Sequence, residues 1–182
     1  MRPKIIMSRQ SSEPLILLDS GVVRHFINGN RILELQQVFP GWFVMLDKVK
    51  NELCRSKSIE NIVINLIRMT GMQLMQFPTE MEIIREYAVL KRQFGDGESA
   101  CMAVAKYQKH YIASSNLKDI KTYCDVNSIV YLTTMDILLE AIIKRVLSEE
   151  ECDVFIQIVK SKGSKLPCNP IAEYRELKNR YG

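Results

Sequence analysis

Pro14-Leu15-Ile16-Leu17-Leu18-Asp19-Ser20-Gly21 decides the fold. Residues 15–18 are wholly apolar, bounded by Pro14 on one side and the turn-forming Asp19-Ser20-Gly21 on the other. This is the pattern of a short strand buried on both faces of a sheet. It predicts the first and central strand of an α/β sheet, with Asp19 at its carboxyl end.

Downstream, residues 22–27 read as a short helix closed by Asn28-Gly29-Asn30, and 31–38 as another stopped by Phe39-Pro40-Gly41. Residues 43–46 read as a brief extended piece before a helix starting at Asp47. Ile59, Ile62, Val63, Leu66 and Ile67 recur at helical spacing up to Thr70-Gly71, and 72–77 reads as a second strand. Thr79-Glu80-Met81-Glu82 has capping-box form and opens a helix toward Phe94. Residues 97–109 form a helix rich in small side chains, able to lie close to a sheet. Strands are predicted over 111–114 and 129–132, with a helix over 117–125 between them. Thr134 starts a helix through Arg145, and Ser148-Glu149-Glu150-Glu151 is a second capping box ahead of a helix to Lys162. Short apolar strands alternating with amphipathic helices imply right-handed crossovers and helices on both sheet faces. The expected fold is a three-layer α/β/α sandwich around a mostly parallel sheet of four to five strands. Residues 1–12 read as an N-terminal segment, 13–167 as one domain and 168–182 as a basic C-terminal tail or helix.

The 182 residues are 47% apolar and 25% charged, the composition of a chain able to bury a core. Charge breaks the longest apolar runs well short of the roughly 18 to 20 residues that span a bilayer. The first seven residues lack the apolar length of a secretory signal. The expectation is a cytoplasmic protein with no membrane partner. Cys54, Cys101, Cys124, Cys152 and Cys168 are odd in number, scattered and without a CxxC pair, so they read as reduced thiols. Net charge is +4, and residues 160–182, with six basic against two acidic side chains, account for the whole excess. That end suits a phosphate backbone and equally suits a solvated helix.

In a parallel sheet, ligands sit at the carboxyl ends of the strands where strand order reverses. Asp19, 114–116 and 133–136 all follow strands at that end. Two further acids stand near helix starts: Glu52 in Val49-Lys50-Asn51-Glu52-Leu53, and Glu98 in Gly95-Asp96-Gly97-Glu98. Carboxylates gathered in one cleft raise one another's pKa, so a protein that gathers them does so around cations. An all-oxygen set suits Mg²⁺ or Mn²⁺, and neither His25 nor His110 has a partner at zinc-ligand spacing. A cation so held lowers the pKa of a bound water, orients a phosphodiester and screens the leaving oxygen. Each acid alone has a structural reading: Asp19 as a helix cap, Glu52 as a solvated acid, Glu98 as favourable to the helix dipole. Their joint placement argues for a site. Asp96 is an alternative to Glu98, because Gly97 leaves the loop pliable. The Ser20 hydroxyl serves either a metal-bound water or phosphate, or the helix cap. Asp136 reads as a first-turn helix acid, and Arg24 and Lys118 as solvated cations within reach of phosphate.

The order of these motifs resembles the PIN-domain nuclease family, the fold of many toxin ribonucleases of toxin-antitoxin pairs. Leu17-Leu18-Asp19-Ser20-Gly21 looks like that family's opening strand with its first metal-binding aspartate. Val49-Lys50-Asn51-Glu52-Leu53 is similar to its V-x-x-E-L helix, and Gly95-Asp96-Gly97-Glu98-Ser99-Ala100, with Ala103 and Ala105, resembles its G-x-G-E-x-x-A form. The likeness runs from about residue 15 to 167. Family members often carry T-D-D or T-x-N after the third strand in this pattern. This chain has Ser114-Ser115-Asn116-Leu117-Lys118-Asp119, so Asn116 takes the fourth position and Asp119, one turn on, can supply charge. An amide brings no negative charge, which favours one metal over two. The resemblance implies Asp19, Glu52, Glu98, Asn116 and Asp119 as catalytic residues, with Asp19, Glu98, Asn116 and Asp119 holding Mg²⁺ or Mn²⁺. It implies cleavage of RNA by metal-activated water, an antitoxin protein as partner, and a homodimer. A second reading is a noncatalytic PIN-like module that binds RNA or protein through a degraded metal site. A third, a phosphatase of haloacid-dehalogenase type with Asp19 as nucleophile, wants a second aspartate where Gly21 stands.

Overall fold

In the computed structural model, which describes residues 13–181 apart from the side chains of Leu117, Asp119, Arg180 and Tyr181, β1 (Ile16–Leu18) is the middle strand of five. It is followed by α1 (Ser20–Asn28), α2 (Ile32–Val38), β2 (Phe43–Leu46), α3 (Asp47–Leu53), α4 (Lys57–Thr70) and β3 (Gln73–Met75). Next come α5 (Met81–Leu90), α6 (Asp96–Gln108), β4 (Tyr111–Ala113) and α7 (Leu117–Asn127). The chain closes with β5 (Tyr131–Leu132), α8 (Thr134–Ile143), α9 (Glu149–Ser161) and α10 (Ile171–Tyr181). The N-terminal segment 1–12 lies outside the described residues.

Sheet order is β3-β2-β1-β4-β5, and every pairing is parallel. Ile16 stands opposite Phe43 on one side and Tyr111 on the other. All three β1 side chains are buried although successive residues point to opposite faces, so helices cover both. The edges differ: β3 is largely exposed and β5 half-buried. The helix α6 packs against β1, β2 and β4, with α3, α5 and α7 beside it; α1, α2, α8 and α9 form the other group. Residues 99–105 of α6 are buried without a break, and their small side chains permit the close approach.

Several element boundaries differ from the sequence expectation. The helix expected over 22–27 begins at Ser20, because Asp19 caps it. Glu80, not Thr79, is the N-cap of α5, and no side chain closes it. That helix stops at Leu90 rather than Phe94: the 93 and 94 N–H groups both fold back to the Leu90 carbonyl. The strand expected over 72–77 is confined to β3, and the Phe77 N–H donates to Asp47 Oδ1 at 3.1 Å. The strand expected over 129–132 shrinks to β5, since the Ile129 N–H closes the end of α7 on the Cys124 carbonyl. Gly71 ends α4 in the left-handed conformation at φ 66°, which glycine adopts without a Cβ penalty. The Ser148/Glu151 capping box forms, and a further box joins Thr133 to Asp136. No helix among the described residues is long and apolar enough to cross a membrane.

Candidate active site

The chain runs from β1 outward to β2 and β3, then returns across the sheet to β4 and β5. Connections therefore leave β1 and β4 in opposite senses, opening a crevice at their carboxyl ends. Asp19 follows β1 and Ser114 follows β4. They are joined there: Ser114 Oγ donates to Asp19 Oδ2 at 3.3 Å, and the Asp19 N–H extends the ladder to the Ala113 carbonyl at 2.9 Å.

Asp19 is only 6% exposed and also caps α1, accepting from the Ser20 N–H at 2.7 Å. Its capping and crevice positions coincide. Burial pushes its carboxyl up to about 6; the Ser20 N–H pulls back, the nearby charge of Glu52 pushes further up, and the Ser114 hydroxyl pulls down. Among the described residues no ion pair reaches Asp19.

Glu52 on α3 ties two helix starts together. Its Oε1 accepts from Ser20 Oγ at 2.6 Å and its Oε2 from the Gly97 N–H at 2.9 Å. A Cβ at Gly97 would stand 3.0 Å from Val49 Cγ2 and 3.1 Å from Glu52 Oε2, so glycine is what lets α6 close on α3. The solvated-acid reading of Glu52 is therefore corrected: it is half-buried and held at both oxygens. Ser20 does not cap α1 through its side chain, because its hydroxyl is given to Glu52.

Glu98, half-buried in the first turn of α6, lies one turn before Cys101 on the same face. The Cys101 thiol donates to the Leu18 carbonyl at 3.8 Å, so that face of α6 abuts the end of β1. Burial holds this thiol well above its ordinary range, and the charges of Asp19, Glu98 and Glu52 raise it further. The charges of three acids far apart in sequence thus act on one buried thiol.

Asp96 turns the other way. Its carboxylate accepts from the Tyr87 hydroxyl and pairs with Lys91 at 3.2 Å and Arg55 at 3.7 Å. Partial burial raises its pKa, but the Tyr87 hydroxyl and Lys91 outweigh this and leave it below the usual carboxylate range. Between the two acids flanking Gly97, Glu98 shares the face of Cys101. Asn116 is exposed at the N-cap of α7 and uses no side-chain cap; its N–H donates to Ser114 Oγ at 3.1 Å, one hydrogen bond removed from Asp19. Asp119 follows in α7, and its side chain lies outside the described residues. Lys118 is exposed and Arg24 half-buried.

Asp136, at the same end of the sheet, belongs to a separate cluster. Its Oδ2 accepts from the Thr133 N–H and hydroxyl, each at 2.8 Å, and its Oδ1 from Tyr174 at 3.2 Å and from Lys178. The first-turn acid is also the anchor of α10. The sequence reading missed this anchor, Ser114 as the partner of Asp19, and Ser115, whose Oγ would stand 2.1 Å from a Cβ at Gly21. Ser115 thus crowds the place where a haloacid-dehalogenase phosphatase needs its second aspartate.

Hard oxygen donors dominate the crevice: carboxylates of Asp19, Glu52 and Glu98, and hydroxyls of Ser20 and Ser114. That chemistry fits a small divalent cation. Among the described residues, no group of three or more His, Cys, Asp or Glu side chains is placed to hold a metal as it stands, and Glu52 is already engaged on both oxygens.

A solved structure of VapBC-1 from nontypeable Haemophilus influenzae is similar at 15% identity and a TM-score of 0.47, covering 66% of this chain and 98% of that one. No protein-family model and no curated protein sequence matches the chain.

Proposed function

We propose that the protein is a metal-dependent ribonuclease of PIN type, hydrolysing phosphodiesters of single-stranded RNA at the crevice between β1 and β4. The observation that carries this reading is Asp19: buried, facing Glu52, with a carboxyl pushed up to about 6. An acid kept beside acids gains from an added cation, which would relieve both repulsion and desolvation.

Asp19 and Glu98, together with Asn116 and Asp119, would hold Mg²⁺ or Mn²⁺, and the chemistry such an ion would supply is activation of a water and screening of the charge growing on the leaving oxygen. The chain's own residues prepare that site. Ser114 and the Ser20 N–H fix the Asp19 carboxylate in one orientation. Glu52 acts as a positioning residue, locking the start of α1 to the start of α6 and so setting the separation of Asp19 from Glu98. The PIN resemblance of the sequence extends the reading to a toxin silenced by an antitoxin protein, and to a homodimer in the cytoplasm.

The test is cleavage of a labelled single-stranded RNA with Mg²⁺ or Mn²⁺ supplied and then chelated. Asp19→Asn and Glu98→Gln should each abolish cleavage while the protein stays folded. Equal cleavage by variant and wild type defeats the proposal. The exposed Asn116 in place of an acid favours the noncatalytic alternative. In that case neither ion would raise the melting temperature of the wild type, and RNA would bind without being cut.

A further inference from the structure

We propose that Lys48, Arg55 and Lys91, arranged around the rings of Phe77 and Tyr87, form a shelf that receives the phosphodiester backbone of the RNA strand beside the acid crevice. The proposal rests on the ribonuclease reading and names where its substrate lies. Lys48 and Glu52 are four residues apart on α3 and so share a face, and Arg55 follows three residues later. Lys48 Nζ stands 5.6 Å from the Phe77 ring centre and 5.3 Å from that of Tyr87; Lys91 Nζ stands 5.4 Å from Tyr87. The two rings meet at 4.9 Å. Asp47 holds the shelf from behind, its Oδ1 accepting the N–H groups of Lys48 and Phe77.

One carboxylate, Asp96, gathers two of the three cations from a partly buried position, pairing with Lys91 and Arg55 while taking the Tyr87 hydroxyl, and Lys48 joins them over the Phe77 and Tyr87 rings. Arg55 and Lys91 keep 71% and 52% of their side chains in solvent, so both remain open to an incoming phosphate. Asp96 immediately precedes Gly97, whose N–H binds Glu52, and this joins the shelf to the crevice wall. The placement answers a physical need. A crevice lined by Asp19, Glu52 and Glu98 repels a phosphate chain, and flanking cations supply the attraction through counterion release. A basic surface set beside aromatic rings is also how single strands are held without sequence preference.

The experiment is fluorescence anisotropy of a short labelled oligouridylate with EDTA present, so that binding is read without cleavage, across a salt series. The triple variant K48A/R55A/K91A should weaken binding roughly tenfold or more and lower the slope of log K against log salt by about two, since each lost contact removes about 0.7. The single Lys91→Ala change, at an exposed side chain, should lower it about threefold with unchanged melting temperature. Glu98→Gln should bind at least as tightly as wild type. Unaltered affinity and slope in the triple variant overturn the proposal. So does tighter shelf-dependent binding of the matching oligodeoxythymidylate, or displacement of RNA by an equally charged polyglutamate, which would assign the shelf to DNA or to an acidic protein. Shelf-dependent RNA binding by a wild type that never cuts RNA would sink the ribonuclease reading and leave the shelf standing.

Discussion

Asp19 and Asp136 are near twins in position and opposites in environment. Each follows a strand at the carboxyl edge of the sheet, each stands at a helix start, and they are 6% and 7% exposed. Asp136 meets Lys178, Tyr174 and Thr133, all donors, and its charge is answered inside the fold. Asp19 accepts from Ser20 and Ser114 but has Glu52 as its charged neighbour, and burial with that charge lifts its carboxyl to about 6. Burial alone therefore does not separate the two acids; the sign of the charge beside each does. A buried carboxylate with a lysine is a clamp, and one left beside another carboxylate would gain from a cation.

The largest expected contrast is catalytic. Asp19→Asn should lower single-turnover RNA cleavage at least about 100-fold by removing a proposed metal ligand, whereas Asp136→Asn should keep it within a few-fold. Equal losses would erase the distinction. The next is linkage: Mn²⁺ at about a hundred times its dissociation constant should add about 2.7 kcal/mol to wild-type stability in urea melts. It should add nothing to Asp19→Asn, and as much as to wild type in Lys178→Ala. Third, Asp136→Ala should cost about 2 kcal/mol, since the capping box and the hold on α10 go together while the half-exposed lysine can still reach water. Smallest is the net effect on the metal-free protein of Asp19→Asn at neutral pH, a gain of about 1 kcal/mol: relief of the buried charge is worth about 3 kcal/mol, and it is offset because the asparagine nitrogen cannot accept the bond that one carboxylate oxygen takes from Ser20 or Ser114. The sign follows from the raised pKa. The folded value of about 6 exceeds the ordinary 3.8, so folding favours the acid form; that stabilisation is full below 3.8, drains as pH climbs toward 6 and is absent above it. Urea melts at successive pH values should show wild type losing stability relative to Asp19→Asn across this window, the other carboxylates, Asp96 among them, being common to both. A difference that stays constant, or that moves in favour of wild type, contradicts the proposed environment of Asp19.

The centre of the sheet was legible because β1 and β2 lack a polar face. Residues 15–18 and 43–46 read as apolar runs, and β1 and β2 are buried throughout. Strand lengths were less legible at the edges, where β3 and β5 stop early because Phe77 and Ile129 give their N–H groups to Asp47 and to the end of α7. Capping motifs behaved unevenly. Ser148 and Glu151 close on each other, while Thr79 and Glu82 do not, because α5 begins after Glu80. At the site, Asp19, Glu52 and Glu98 were named from local motifs, but nothing local distinguishes Asp96 from Glu98. Tyr87, Lys91 and Arg55 make that distinction from other elements.

By itself the sequence determined a parallel α/β sheet and the position of Asp19 at the end of its central strand, because apolar periodicity and strand-end chemistry are properties of neighbouring residues. Only the tertiary structure decided that Glu52 spans Ser20 and Gly97, that Asp96 turns to its cations, and that Lys178 claims Asp136 and leaves Asp19 among acids. Those outcomes depend on partners brought together by register and helix packing, and the charge that surrounds a buried carboxylate exists only once the chain has folded.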